Sequence, residues 1–255
     1  MGLTIHYYLK ARSNDTAARQ LITDLHHVAQ DLPFQELGEI IDLSGNACDH
    51  ARRASDDPLR WLLIQASGSV QLTEKRSLTV QPNRVLAFTA WPGEGCEEAN
   101  FGLCRYPRSI SHPDFGTVPT KLSGWRWRSF CKTQYASNPD CGGVPNFLRC
   151  HLAVIALLDK ARELGCVDEV SDEGHFWDKR DVPALVQEIG SWNEMIAAFG
   201  GKLQDLLGTG GLALQSAISE FPNFETLEAA GQSRLPLGTE ALARLIQRVV
   251  RERAA

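Results

Sequence analysis

No apolar run in this sequence approaches the roughly 20 residues that a membrane-crossing helix needs, so no membrane-spanning segment is expected. There is no C-x-x-C pair, no H-E-x-x-H and no EF-hand loop, which removes the common zinc and calcium readings. The P-loop, the G-x-G-x-x-G fingerprint and the G-x-S-x-G elbow are missing too, and with them the usual nucleotide and serine-hydrolase readings. Internal repeats and low-complexity tracts are absent. The chain starts on a strand-like alternation, without a basic stretch followed by an apolar one. No signal peptide is therefore expected, and reduced thiols in a cytoplasm are the simplest reading of seven scattered cysteines. A net charge of −5 argues against a general polyanion binder, and no nucleic-acid partner is expected.

What is present fits an α+β chain. Leu3, Ile5, Tyr7 and Leu9 alternate with polar neighbours as in a half-buried strand. Asn14 and Asp15 can cap a helix whose stripe is Ala18, Leu21, Ile22, Leu25 and Val28, with Pro33 beyond its end. Strands are expected at 36–43, 60–66, 68–73, 77–81, 85–91, 100–106 and 125–136, with polar loops at 44–58 and 107–124. A helix apolar nearly all round runs from about Asn146 to Leu164 and stops at Gly165, followed by the short strand VDEVS. Asp181 and Pro183 open a helix to about Phe199, and further helices are expected at 212–220, 223–230 and 239–253, with GTGG at 208–211 as a hinge. Strands joined by short turns imply a mainly antiparallel sheet with helices packed on one face. The expected division is a sheet domain over 1–181 and a helical C-terminal subdomain over 182–255.

The unusual chemistry gathers between Trp91 and Asp181, which holds six of the seven cysteines. In GEGCEEANFGLC, Gly93 and Gly95 allow a tight turn that aims Cys96 and Glu97; Cys96 is either a nucleophile or a half-buried thiol in a connecting turn. In WRWRSFCKTQYA, alternation puts Trp125, Trp127, Ser129, Cys131, Thr133 and Tyr135 on one face, and Arg126, Arg128, Phe130, Lys132 and Gln134 on the other. The aromatic face should pack under helices. The basic face can then hold a carboxylate or phosphate. Cys150 and His151 open the apolar helix; a His there reads as a core residue bonded to backbone, or as a site group. Cys141–Gly142–Gly143 before that helix can offer backbone N–H groups to an anion. Asp172, Glu173 and His175 can bind a divalent cation, do acid–base work, or pair with Lys132 or Arg126.

LTIHYYLKA at the start, GCEEANFGL at the turn, CKTQYA on the strand and VSDEGHFWDKRD together resemble a group of uncharacterised bacterial proteins of unknown function. The resemblance covers roughly residues 3–200 in pieces. It implies a bacterial, soluble, cytoplasmic protein and carries over no activity or catalytic residue.

Two readings follow. The first is a binding protein for a small anionic ligand or a protein partner, with Arg126, Arg128, Lys132, Gln134 and Asp172 as the ligand-binding set and no cofactor or resident metal. The second is an enzyme using Cys96, or the carboxylates of Glu97, Asp172 and Glu173 around His151, with or without a metal. Charge complementarity brings the turn 95–97, the strand end 132–134 and the segment 172–173 together in either case.

Overall fold

The computed structural model of the chain describes residues 3–74, 76–207 and 217–231, with backbone alone over 202–207. Strand β1 (Thr4–Ala11) leads through the Asn14 cap into helix α1 (Asp15–Gln30), where the Asn14 side chain accepts from Ala17 N. The expected strand 36–43 divides into β2 (Glu36–Leu37) and β3 (Ile41–Ser44), and short 3-10 turns fill the polar stretch beyond. Residues 60–66, read as a strand, fall in helix α2 (Leu59–Ala66). Periodicity alone does not separate a buried strand from a helix in a short apolar run. Here Asp57 accepts from Leu59 N at the helix start, and Leu62, Leu63 and Ala66 bury one side while Trp61 and Ile64 stay exposed.

Hairpin β4 (Gly68–Thr73) and β5 (Arg76–Val80) precedes the long pair β6 (Arg84–Trp91) and β7 (Ala99–Arg105). The expected loop 107–124 carries a small hairpin, β8 (Ser109–His112) and β9 (Gly116–Pro119). Strand β10 (Trp125–Lys132) ends four residues before the expected boundary, and residues 134–137 form a 3-10 turn. Helix α3 (Gly143–Glu163) follows, then β11 (Val167–Asp172), the short α4 (Phe176–Lys179), α5 (Val182–Leu207) and α6 (Phe224–Gly231). Of the expected helix 212–220, residues 217–220 form a 3-10 turn. The 208–211 hinge and the 239–253 helix lie outside the described residues.

The main sheet runs β11-β1-β10-β7-β6-β2, with β3 also on β6, and every described strand pair is antiparallel. This is the α+β architecture expected. Its core joins Ile5, Tyr7 and Leu9, the indoles Trp125 and Trp127, and Phe88 and Phe101 to apolar side chains of α1, α2 and α3. Tyr7 stacks on Phe101 at 4.9 Å, and Phe101 on Phe88 at 5.8 Å. Tyr7 Oη and Trp127 Nε1 both donate to Asn100 O, each at 2.7 Å, so neither polar tip is left unpaired in the core. A second cluster seats α5 on the rest of the fold: Leu185 and Ile189 pack with Leu3, Ala136, Phe147 and Cys150. Among the described residues, no helix is long and apolar enough to cross a membrane.

Candidate functional site

The three segments that charge complementarity groups together do lie side by side. Thr4 pairs with Lys132 across β1 and β10, and Glu97 N donates to Lys132 O at 2.9 Å on the other side. Glu173 brackets the far edge: its N donates to Thr4 O at 3.1 Å, and its Oε2 accepts from Thr4 N at 2.9 Å. The side chains do not share one site, however. Pleating turns Lys132 to the face of β10 opposite the buried Trp127, Ser129 and Cys131, whereas His151 is buried on α3. Lys132 Nζ donates to Tyr135 Oη at 3.2 Å and lies 4.4 Å over that ring, while the Glu97 side chain is exposed.

His151 lies in the interior, fully buried, and not on backbone groups. Its Nδ1 is hydrogen-bonded to Thr133 Oγ1 at 2.9 Å, and its Nε2 faces Asp172 Oδ2 at 3.3 Å. Asp172 also accepts from Gly174 N at 2.8 Å and Trp177 N at 2.9 Å. Burial pushes its carboxyl up, but His151 and these two N–H groups outweigh burial and hold it below the ordinary carboxylate range. The hydroxyl–imidazole–carboxylate line therefore resembles a hydrolytic triad in composition. All three members are enclosed, with Thr133 and His151 at 0% exposure, so the line acts as a polar tie between β10, α3 and β11.

Gln134 is a correction to the basic face. The strand ends at Lys132, so alternation no longer applies at Gln134, which turns inward. Its Oε1 accepts from Leu3 N at 3.2 Å and its Nε2 donates to Asn193 Oδ1 at 3.2 Å. Asp172, buried as described, leaves the ligand-facing set as well. The Gly142–Gly143 turn is likewise occupied: Gly142 N donates to Pro139 O at 3.1 Å and Gly143 N to Asn138 O at 2.9 Å, so neither faces an anion.

Cys96 sits in the β6–β7 turn, half-buried, with its N donating to Gly93 O at 3.0 Å. Gly95 has φ +78°, and a Cβ there would run into the backbone of Tyr135 and Ala136. Gly95→Ala is therefore expected to displace this turn from the 3-10 segment and cost more than about 1 kcal/mol. A chemical denaturation midpoint equal to the parent's would contradict that. Cys96 packs against the apolar cluster that holds Cys150 of α3, a neighbourhood that spacing along the chain did not reveal.

Of the expected basic set, Arg126 lines a cleft. Lys10, Arg12, Ser13, Asn14, Ser123 and Gly124 form the rest of that lining, at the N-terminus of α1. Lys10 and Arg126 are direct cross-strand partners, and the chain has no carboxylate among these lining residues. Lys10 reaches Asp168 outside the cleft at 3.7 Å, and Arg126 Nε donates to Ser123 O at 3.1 Å. Ser13 Oγ is buried without a hydrogen-bond partner. Arg128 is exposed, 5.1 Å over the Tyr8 ring. Lys10, Arg12 and Ser13 escaped sequence reasoning because only the β1–β10 pairing brings them beside Arg126. Among the described residues, no group of three or more His, Cys, Asp or Glu is placed to hold a metal ion. Comparison of the chain with protein-family models, with curated proteins and with solved structures finds no match.

Proposed function

We propose that the protein binds a small anionic molecule in the cleft between β1, β10 and the start of α1. The observation that carries this reading is the placement of Lys10 directly opposite Arg126 on neighbouring strands. Like charges so placed cost stability. An anion between them removes that cost and gains charge-assisted hydrogen bonds. Arg12 adds a third cation, Ser13 an unused hydroxyl, and α1 the positive end of its dipole. A phosphate or a carboxylate group fits this donor set, the guanidinium forks favouring two oxygens at once.

The test is a calorimetric and thermal-melt titration with inorganic pyrophosphate and, separately, citrate, at constant ionic strength. Saturable binding by either is expected, with a melting temperature that rises with ligand. The double variant Arg12→Ala, Arg126→Ala should keep the parent's melting temperature without ligand and lose the rise. No saturable binding by the parent, or equal binding by the variant, would sink the proposal.

A further inference from the structure

The outer face of two interior strands of the sheet carries rings as well as cations. β1 turns Thr4, His6, Tyr8 and Lys10 to this side, and β10 turns Arg126, Arg128, Phe130 and Lys132. The pairing sets them in rows: Lys10 beside Arg126, Tyr8 beside Arg128, His6 beside Phe130 and Thr4 beside Lys132. Half of these side chains are cations, three carry rings and none is an acid. Carboxylates stand to one side, on β11 and just beyond it. Asp168 reaches Lys10 at 3.7 Å, Glu169 is the cross-strand partner of Tyr8, and Glu173 accepts from Thr4 N.

The rings of this face are not part of the core. Among the described residues, neither Tyr8 nor Phe130 packs into the apolar clusters, and His6, Tyr8 and Phe130 are all partly exposed. His6 and Phe130 lie 5.8 Å apart, tilted at 42°, and the Arg128 guanidinium lies 5.1 Å over Tyr8. Apolar ring area kept in water is unfavourable, and a flat partner stacked on it removes that cost. Alternation within β10 sends Trp125 and Trp127 away from the cations, so two of the three rings that join them come from β1.

We propose that this face binds single-stranded nucleic acid, resting on the anion reading of the cleft for one end of its track. A backbone phosphate sits among Lys10, Arg12 and Arg126, and successive bases stack on Tyr8 and on the pair of His6 and Phe130. Residues on one face of a strand recur about every 7 Å, the scale on which an extended single strand repeats. Cations for the phosphates and π-faces for the bases are the combination that such a polymer needs. A duplex keeps its base faces inside its own stack and can use the cations alone. An acidic peptide likewise has charge but no bases for the rings. The net charge of −5 is an average over the chain and does not describe a face with four cations and no acid.

The experiment titrates the full chain into a short fluorescein-labelled oligothymidylate and reads anisotropy, with pyrophosphate binding measured in parallel on the same preparations. Saturable binding is expected, weakening as salt rises. Tyr8→Ala and Phe130→Ala should each weaken it about tenfold and leave pyrophosphate binding at the parent's value. The double variant Arg12→Ala, Arg126→Ala should weaken both. Pyrophosphate binding without oligothymidylate binding would overturn the nucleic-acid proposal and leave the cleft reading standing, whereas failure of both would remove both. Parent affinity in both ring variants, or displacement by polyglutamate or a duplex as effective as by unlabelled oligothymidylate, would overturn it as well, since charge alone would then suffice. Photo-cross-linking of the parent keeps the test independent of how the variants fold. An oligonucleotide carrying iodouracil should attach to peptides of β1 or β10, and attachment confined to α2, where Trp61 is exposed, would sink the idea.

Discussion

Trp127→Ala is expected to lower stability by about 3–5 kcal/mol, the range for truncating a large buried aromatic. The indole is 2% exposed, and it packs in the main core beside Gly102, where even an added Cβ would lie 3.0 Å from the ring. Asn100 O keeps its bond from Tyr7 Oη after the substitution, so the loss comes from the cavity and not from an orphaned carbonyl. At this chain length the melting temperature should fall by roughly 10 °C, at about 2–4 °C per kcal/mol. Arg128→Ala, one residue away on the opposite and exposed face, should stay within about 0.5 kcal/mol of the parent. Differential scanning calorimetry of the two variants makes the comparison. Equal effects would mean that the two faces of β10 are not distinct environments.

The second large effect is expected at Asp172. Asp172→Ala leaves His151 Nε2 and the N–H groups of Gly174 and Trp177 without their acceptor, in an interior that water does not reach. Leaving buried donors without their acceptor costs about 1–3 kcal/mol each. The pH dependence has a definite sign. The folded carboxyl titrates below its unfolded value, so its stabilising contribution is complete above about pH 4 and is lost as pH falls through the folded value. Denaturation of the parent followed from neutral to acid pH should show that loss, and the Asp172→Ala variant should show a correspondingly flatter acid limb. An acid limb as steep in the variant as in the parent would assign the acid sensitivity to other carboxylates.

Legibility in the sequence followed the range of the interactions involved. The alternation of Leu3 to Leu9, the Asn14 cap and the stop at Gly165 are set by neighbours in the chain, and each element stands where the pattern puts it. Residues 60–66 defeated the pattern, because a short run containing Leu62, Leu63 and Ile64 satisfies both periods; in the structure it is a helix that buries Leu62, Leu63 and Ala66. On β10 the two faces were legible as far as the strand lasts. Gln134 was misplaced because a strand's end is decided by pairing, and β1 pairs only to Lys132. The candidate sites were the least legible. Arg126 was visible as a cation, but its cleft needs Lys10 and Arg12 from the first strand. Cys96 was visible in its glycine turn, while Cys150 and Arg149 come near it only when α3 packs over that turn.

The position of β1 in the sheet has a consequence for how the molecule is made. Thr4 pairs with Lys132 and Ile5 with Asp172, so β1 lies between two strands, β10 and β11, that are made long after it. On a ribosome its apolar edge of Leu3, Ile5, Tyr7 and Leu9 emerges with neither neighbour yet in existence. Closing such distant pairs is entropically slow, and an unpaired apolar strand is an invitation to other chains in the meantime. The hairpin of β6 and β7, joined by the short Gly93–Gly95 turn, can assemble first and offer a template on which β10 docks. β1 then enters on β10, its arrival draws Lys10 up to Arg126 and completes the cleft, and β11 adds last on the free edge of β1.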